Sequence, residues 1–292
     1  MPITRRTFLG AAAVAACAAA IPTFALAAKP LTIGFSQVGA ESEWRSANTA
    51  SIKAAARQAG VTLKFADAQQ QQQNQVKAIR SFIAQRVDVI AFSPVVETGW
   101  ETVLREAKNA KIPVILTDRA VKVSDPSLYV SFIGSDFVEE GRRAGRWLLD
   151  YAKKNPGKAL NIVELQGTTG AAPAIDRKNG FAEVIATNPK LKIVRSQTAD
   201  FTRAKGKEVM EAFLKSEGKN INVLYAHNDD MAIGAIQAIE EAGLKPGKDI
   251  VIVSIDGVRG AFEAMVAGKL NVTVECNPLL GPTLMQTAQA VA

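Results

Sequence analysis

Histidine is all but absent: His227 is the single one in 292 residues. This removes most imidazole-based metal sites, the Ser-His-Asp triad and most imidazole proton relays, and leaves His227 a capping or packing role. Cysteine is nearly as scarce. Of Cys17 and Cys276, the first falls in an N-terminal export segment. The exported chain therefore has one thiol and no internal disulfide despite an oxidising compartment, and its core is held by burial alone. The first strand-to-helix junction lacks Gly-x-Gly-x-x-Gly spacing, since Gly34 and Gly39 are wrongly placed, which argues against a pyrophosphate cradle. Also missing is any block of basic residues. The net charge is +7, but Lys and Arg are interleaved with acids, as in "REAKNAK" and "RAKGKEVMEAFLK", so no nucleic-acid groove is expected. No Pro/Gly/Ser-rich linker divides the chain, and neither a cofactor nor a metal is expected.

What the N-terminus does carry is an export signal. Arg5 and Arg6 precede an apolar run ending at Ala25-Leu26-Ala27, an Ala-x-Ala cleavage pattern ahead of Ala28. Thr4-Arg5-Arg6-Thr7-Phe8-Leu9 is similar to the twin-arginine motif, an address for export of folded proteins. Ordinary secretion is the second reading. Lipidation at Cys17 is a third, disfavoured because apolar sequence follows where a polar tether belongs. The run is broken by Pro22 and falls short of the roughly 20 residues that span a bilayer, so no anchor is expected. Removing residues 1–27 takes away two arginines and no acid, leaving a charge of +5. The remainder, residues 28–292, exceeds the roughly 100–200 residues of one core, and two domains are expected.

Beyond the signal, short β-branched or apolar runs alternate with stretches of helical period. Leu31–Phe35, Val61–Phe65, Val89–Ser93 and Pro113–Thr117 are the first four runs. Between the first two, Ile52, Ala55, Ala56 and Ala59 share a helix face that stops at Gly60. Strands so spaced, with helices between them, predict right-handed βαβ crossovers and a parallel sheet. The pattern restarts at Val130–Gly134 and continues through Asn161–Leu165, Lys192–Thr198, Val223–Ala226, Ile250–Ile255 and Val272–Cys276. Two α/β sets in series are expected. The low-complexity run Gln69–Asn74 has apolar neighbours in helical register, and reads as the exposed first turn of a helix.

In parallel sheets ligands gather at the carboxyl ends of strands, so polar residues there carry the argument. The first such junction offers Gln37, Glu41, Trp44 and Arg45, and the fourth offers Asp118 and Arg119. In the second set, Thr168, Asp176 and Arg177 open a helix, while Asn228 and Asp256 follow later strands. Carboxylates accept and guanidinium groups donate in pairs, so together they suit adjacent hydroxyls, and an indole suits the face of a sugar ring. Each residue also has a structural reading. Asp118 and Arg119 can form an ion pair, Asp229 and Asp230 read as helix N-caps, and Asp256-Gly257 is ordinary turn chemistry.

Taken together, "TIGFSQVGAESEWR", "DRKNGFAEVI", "YAHNDDMAIGAIQAIEEAG" and "VSIDG" resemble the periplasmic sugar-binding proteins of bacterial ABC transporters, the ribose- and galactose-binding class, from Leu31 to about Pro282. The resemblance implies an α/β fold of the type I periplasmic binding protein kind. Two Rossmann-like lobes with parallel sheets, joined by three crossing segments, close like a hinge on a monosaccharide. That sugar is a furanose such as galactofuranose, or a pentose or hexose, and a permease of an ABC transporter receives it. The expected protein is a periplasmic monomer that is no enzyme and touches the membrane only through the permease. Its divisions are a signal at 1–27, a first lobe of 28–130 plus 277–292, and a second lobe of 131–276. Carried over by motif, sugar contacts fall on Gln37, Glu41, Trp44, Arg45, Asp118 and Arg119 in the first lobe, and on Arg177, Asn228 and Asp256 in the second. Of Glu275-Cys276-Asn277 in the crossing before Pro278, Asn277 is assigned the polar contact. Members of this class continue into a third crossing and a last strand, so the C-terminus at Ala292 is expected to be truncated. A sugar carrier serving a sensor or chemoreceptor is an alternative within this reading. A glycosidase using Glu41, Asp118, Asp176 or Asp256 is a rival, opposed by arginines expected to lower the acids' pKa values. The effector domain of a lactose-repressor-type regulator shares the fold, but an export signal stands where its DNA-binding headpiece belongs.

Overall fold

Apolar runs become strands wherever both faces of a sheet are covered by helices, and here that happens twice. The computed structural model describes residues 30–157 and 160–292; the segment expected to be an export signal, with Cys17, lies outside them. In the first half, β1 (Thr32–Gln37), β2 (Thr62–Asp67), β3 (Val89–Phe92), β4 (Val114–Thr117) and β5 (Ser131–Ile133) form a sheet in the order β2-β1-β3-β4-β5. In the second, β6 (Leu160–Gln166), β7 (Leu191–Thr198), β8 (Val223–Ala226), β9 (Val251–Asp256) and β10 (Val272–Glu275) are ordered β10-β9-β8-β6-β7. Every pairing is parallel. β3, β4 and β8 are buried throughout, which is why they read as unbroken apolar runs rather than alternating ones.

The helices begin and end on local chemistry. α1 (Glu43–Gln58) starts at Ser42, whose hydroxyl accepts from the Arg45 amide, and the chain turns out of it at Gly60, whose φ of +65° suits glycine. Asp136 caps α4 (Phe137–Lys154), and Thr202 caps α6 (Arg203–Glu217), in the same way. At α7 (Asp229–Glu241) the cap is Asn228, whose side chain accepts from Met231. Asp229 and Asp230, expected as caps, occupy the first turn instead. Asp229 reaches sideways to accept from Gly257 N at 2.8 Å, Val258 N at 2.9 Å and Thr273 Oγ1 at 2.8 Å, pinning the turn that follows β9. Burial raises its pKa to about 6.

Two further expectations change. The run Val130–Gly134, expected to open the second set, supplies β5 instead, which pairs with β4 at the edge of the first sheet. It arrives through a single 3-10 turn at Pro126–Leu128 rather than a full crossover helix, and period alone does not say which sheet a strand joins. The glutamine run is also divided: Gln69 and Gln70 adopt left-handed backbone (φ 52° and 59°), and α2 (Gln72–Ala84) begins after them. Within α2, Gln75 is fully buried, donating to Ser93 O at 2.7 Å and accepting from Val95 N at 2.9 Å. The residue that directly follows the low-complexity run thus shapes the loop after β3.

The chain crosses between sheets at Gly134–Asp136 and returns at Cys276–Pro278 into α9 (Gly281–Val291). α9 packs on α1, with Leu284, Met285 and Ala288 joining Ile52, Ala55, Ala56 and Phe35 in one apolar cluster. The approach is close: a Cβ on Gly281 would stand 2.3 Å from Ser51 O. The carboxyl ends of both sheets consequently face one cleft.

Candidate functional site

The cleft is bounded by the loops after β1 and β4 and the start of α1 on one side, and by residues after β8, at the end of β9 and at helix starts on the other. Its lining includes Glu41, Ser42, Trp44, Arg45, Asp118 and Arg119 from the first lobe, and Pro173, Arg177, Phe201, Asn228 and Asp256 from the second, with Phe137 and Cys276 beside the crossings. The void between them is about 20 Å³, little more than one water's worth, so the two sides stand closed on each other.

On the first-lobe side Arg45 is the organising cation. Its Nε lies 3.1 Å from Glu41 Oε1, its Nη2 2.7 Å from Asp118 Oδ2, and its Nη1 3.2 Å from Gln37 Oε1. Ser93 Oγ donates to the same Asp118 oxygen at 3.0 Å. Burial opposes the charge on Arg45, yet Asp118 and Glu41 outweigh it and hold its pKa above the ordinary value. Gln37 sits behind this group, donating to Asn48 Oδ1 and Thr49 Oγ1, and it orients Arg45 instead of facing the cleft. Arg119 is different. Its Nη1 reaches Val95 O at 3.3 Å, while its Nε is buried without a partner, 3.6 Å from Asp118 Oδ2. Burial, with the repulsion of Arg45, lowers its pKa to about 10, so it remains a cation near neutrality. Glu41 Oε2 is likewise buried and unpartnered. In the lining of this side, Arg119 Nε is thus a spare donor and Glu41 Oε2 a spare acceptor.

Across the cleft Arg177 has each of its nitrogens engaged. Nε donates to Glu140 Oε2 at 2.9 Å, Nη1 to His227 O at 2.6 Å, and Nη2 to Asp256 Oδ1 at 3.4 Å. Burial works against its charge, but Glu140 and Asp256 raise its pKa overall. His227 lies beneath, its Nδ1 3.4 Å from the Gly167 amide and its Nε2 3.1 Å from Glu164 Oε1. With Nδ1 accepting, Nε2 carries the proton and donates to Glu164; burial lowers the imidazole pKa and keeps it neutral. Asn228 is partly engaged, Oδ1 capping α7 and Nδ2 donating one of its two hydrogens to Phe201 O at 3.1 Å. Asp256 goes against the expectation that arginine lowers the site's acids, because burial raises its pKa despite Arg177.

Trp44 bridges the two regions. Its indole nitrogen donates to Cys276 O at 2.7 Å, tying α1 to the returning crossing, and the Arg45 guanidinium stands 4.7 Å from its ring centre. From that crossing it is Cys276 that lines the cleft. Asn277, assigned from the sequence, accepts from Leu279 N and borders a separate acidic hollow with Asp136, Glu139 and Glu275.

The aromatic walls of the cleft, Phe137 and Phe201, were not legible in the sequence. The Arg119 guanidinium lies 5.2 Å from the Phe201 ring across the cleft, and that of Arg177 lies 5.2 Å from Phe137. Phe137 opens α4 immediately after its cap, and Phe201 occupies left-handed backbone (φ 61°). Asp118 (φ 62°) and Asp256 (φ 133°) share that property. Such positions cost about 1–3 kcal/mol each and aim side chains where regular backbone does not. Among the described residues, no group of three or more His, Cys, Asp or Glu is placed to hold a metal ion.

Comparison with known proteins supports this fold. Residues 33–292 match the model of the periplasmic binding protein domain family. The galactofuranose-binding protein of Escherichia coli (strain K12) is 59% identical over 272 residues, which are 92% of this chain and 84% of that protein. A Mycobacterium smegmatis protein solved with β-D-fucofuranose superposes with a TM-score of 0.87 at 63% identity, over 89% of this chain and 85% of that one. The periplasmic component of the arabinose ABC transporter from Shewanella sp. ANA-3, solved with α- and β-L-arabinofuranose, gives 0.85 at 58% identity, over 89% and 85%.

Proposed function

The chain belongs to the periplasmic binding protein domain family, and from that premise we propose that it captures a monosaccharide in its five-membered ring form between the lobes and delivers it to the permease of an ABC transporter. The observation that carries the reading is a small cleft walled by paired arginines and carboxylates from two lobes, with aromatic faces at its sides. A neutral polyol satisfies such a wall, accepting from guanidinium groups and donating to carboxylates, while ring C–H faces meet Trp44, Phe137 and Phe201. The relatives named above with furanose ligands make that ring form the favoured one.

In this reading Glu41 Oε2 and Arg119 Nε, both buried and unpartnered, take hydroxyls directly. Asp118, Asn228 and Asp256 complete the ring of contacts, and Arg45 and Arg177 present only the edges their carboxylates leave free. Gln37 and Asn277 act from behind, the first by orienting Arg45 and the second by shaping the crossing. Each lobe supplies part of the contact set, so sugar stabilises the closed form by its differential affinity for it. The protein works as a monomer in the periplasm, exported through Arg5 and Arg6, and performs no chemistry on its cargo.

A thermal-shift screen of the mature chain against L-arabinose, D-galactose, D-fucose, D-ribose and myo-inositol tests the proposal. Sugars with a furanose form should raise Tm in proportion to affinity, by mass action on the native state. No shift with any of them overturns it, and release of product from p-nitrophenyl furanosides would establish an enzyme instead.

A further inference from the structure

At the rim of the cleft, outside the lining just described, the two lobes meet through a second set of charges. Asp230, in the first turn of α7, accepts from the backbone amide of Glu43 at 2.8 Å. Glu43 is the first residue of α1 in the opposite lobe, and its amide is one of the helix-start donors that no intrahelical carbonyl can reach. Arg203, the first residue of α6, closes the set: its Nε lies 2.5 Å from Asp230 Oδ1 and its Nη2 3.0 Å from Glu43 Oε2. Asp230 is 2% exposed, whereas the Arg203 side chain is half exposed. A Cβ on Gly260 would lie 3.1 Å from Glu43 Oε2 and 3.5 Å from Arg203 Nη2, so the missing side chain leaves room for the pair.

We propose that Asp230 and Arg203 are positioning residues that form an electrostatic latch with the start of α1, and that this latch sets how long the closed form retains its sugar. The proposal rests on the sugar-binding reading above. The partners lie on different lobes, so every bond to Glu43 exists only when the lobes are together. The N-termini of α1 and α7 carry partial positive charge and meet at the rim, where the Glu43 amide reaches Asp230. Asp230 places a carboxylate between them, and Arg203 then bridges it to Glu43. None of the three lines the sugar space. The latch therefore acts on closure alone, slowing dissociation equally for every sugar and leaving the encounter with the open form untouched.

Stopped-flow tryptophan fluorescence with L-arabinose and D-galactose as probes tests this. Asp230→Asn should raise the dissociation rate about tenfold and Arg203→Ala about threefold, with association changed less than about twofold. The ratio of the two sugars' affinities should stay constant, as should the Tm of sugar-free Arg203→Ala. Glu43→Ala combined with Arg203→Ala should cost little more than either alone, and added salt should speed release in wild type more than in Arg203→Ala. Unchanged dissociation, or a change that differs between the two sugars, overturns the latch. If wild type binds neither probe, the sugar reading fails separately. The latch is then judged on sugar-free protein spin-labelled at Gln69→Cys and Lys205→Cys, both exposed. Asp230→Asn should deplete the short-distance population, and identical distributions would overturn it.

Discussion

The two halves of the cleft use the same residue type in opposite ways. Arg177 in the second lobe has all three of its nitrogens committed to Glu140, His227 O and Asp256, whereas Arg119 in the first keeps a buried Nε with no partner. Arg45 resembles Arg177, being wedged between Glu41 and Asp118 and backed by Gln37. An arginine beside a ligand space is thus not by that fact a ligand arginine. What decides is how many of its donors the protein itself has already used.

The largest effect should come from breaking the committed side. Arg177→Ala strands Glu140 and Asp256, two buried carboxylates, and should cost about 3–5 kcal/mol of stability, read by thermal or urea denaturation. Arg119→Ala should do the reverse, weakening sugar affinity by roughly ten- to hundredfold, about 1.5–3 kcal/mol by calorimetry, with a smaller loss of stability. If Arg119→Ala unfolds the protein while Arg177→Ala folds and merely binds weakly, the contrast is inverted and the assignment fails.

Acid sharpens the same comparison, because the only histidine lies under the second-lobe half. His227 has its pKa lowered from 6.5 by burial. The unfolded chain therefore binds a proton near pH 6.5 that the folded chain refuses, so stability is fully present above that pH and is lost as pH falls through the folded value. The single imidazole resonance should titrate below 6.5 in the native state, and a midpoint at or above it would mean the ring is not shielded. The smallest effect is expected at the junction of the two halves. Trp44→Phe removes the bond to Cys276 O and should weaken sugar binding by about 0.5–1.5 kcal/mol. The fluorescence response to sugar should vanish with it, since Trp100 is buried against Phe92 and Trp147 stacks on Tyr151, both away from the cleft. A response that survives in Trp44→Phe would place the reporter elsewhere.

Much of the site was legible because in parallel α/β folds it lies at known places along the chain. Asp118 follows β4, Asn228 follows β8 and Asp256 ends β9, each found by asking what stands at a strand's carboxyl end. Phe137 and Phe201 escaped that question, since an aromatic residue beside a helix start reads as core. Asn277 is one polar choice in Glu275-Cys276-Asn277, but it is Cys276 that lines the cleft while Asn277 accepts from Leu279 N.

Alternation of apolar runs and helical periods, set by neighbours a few residues apart, determined the strands, the helices and the presence of two α/β sets. The sequence by itself also placed arginines and carboxylates at the junctions where a parallel sheet collects ligands. Only the tertiary structure decided that β5 closes the first sheet, that Gln75 is a buried clamp, and which arginine keeps a free donor. The reason is range. Asp230 meets Glu43 across 187 residues of chain and Arg177 meets Asp256 across 79, and pairings at such separations depend on how two lobes are set against each other, which no local period records.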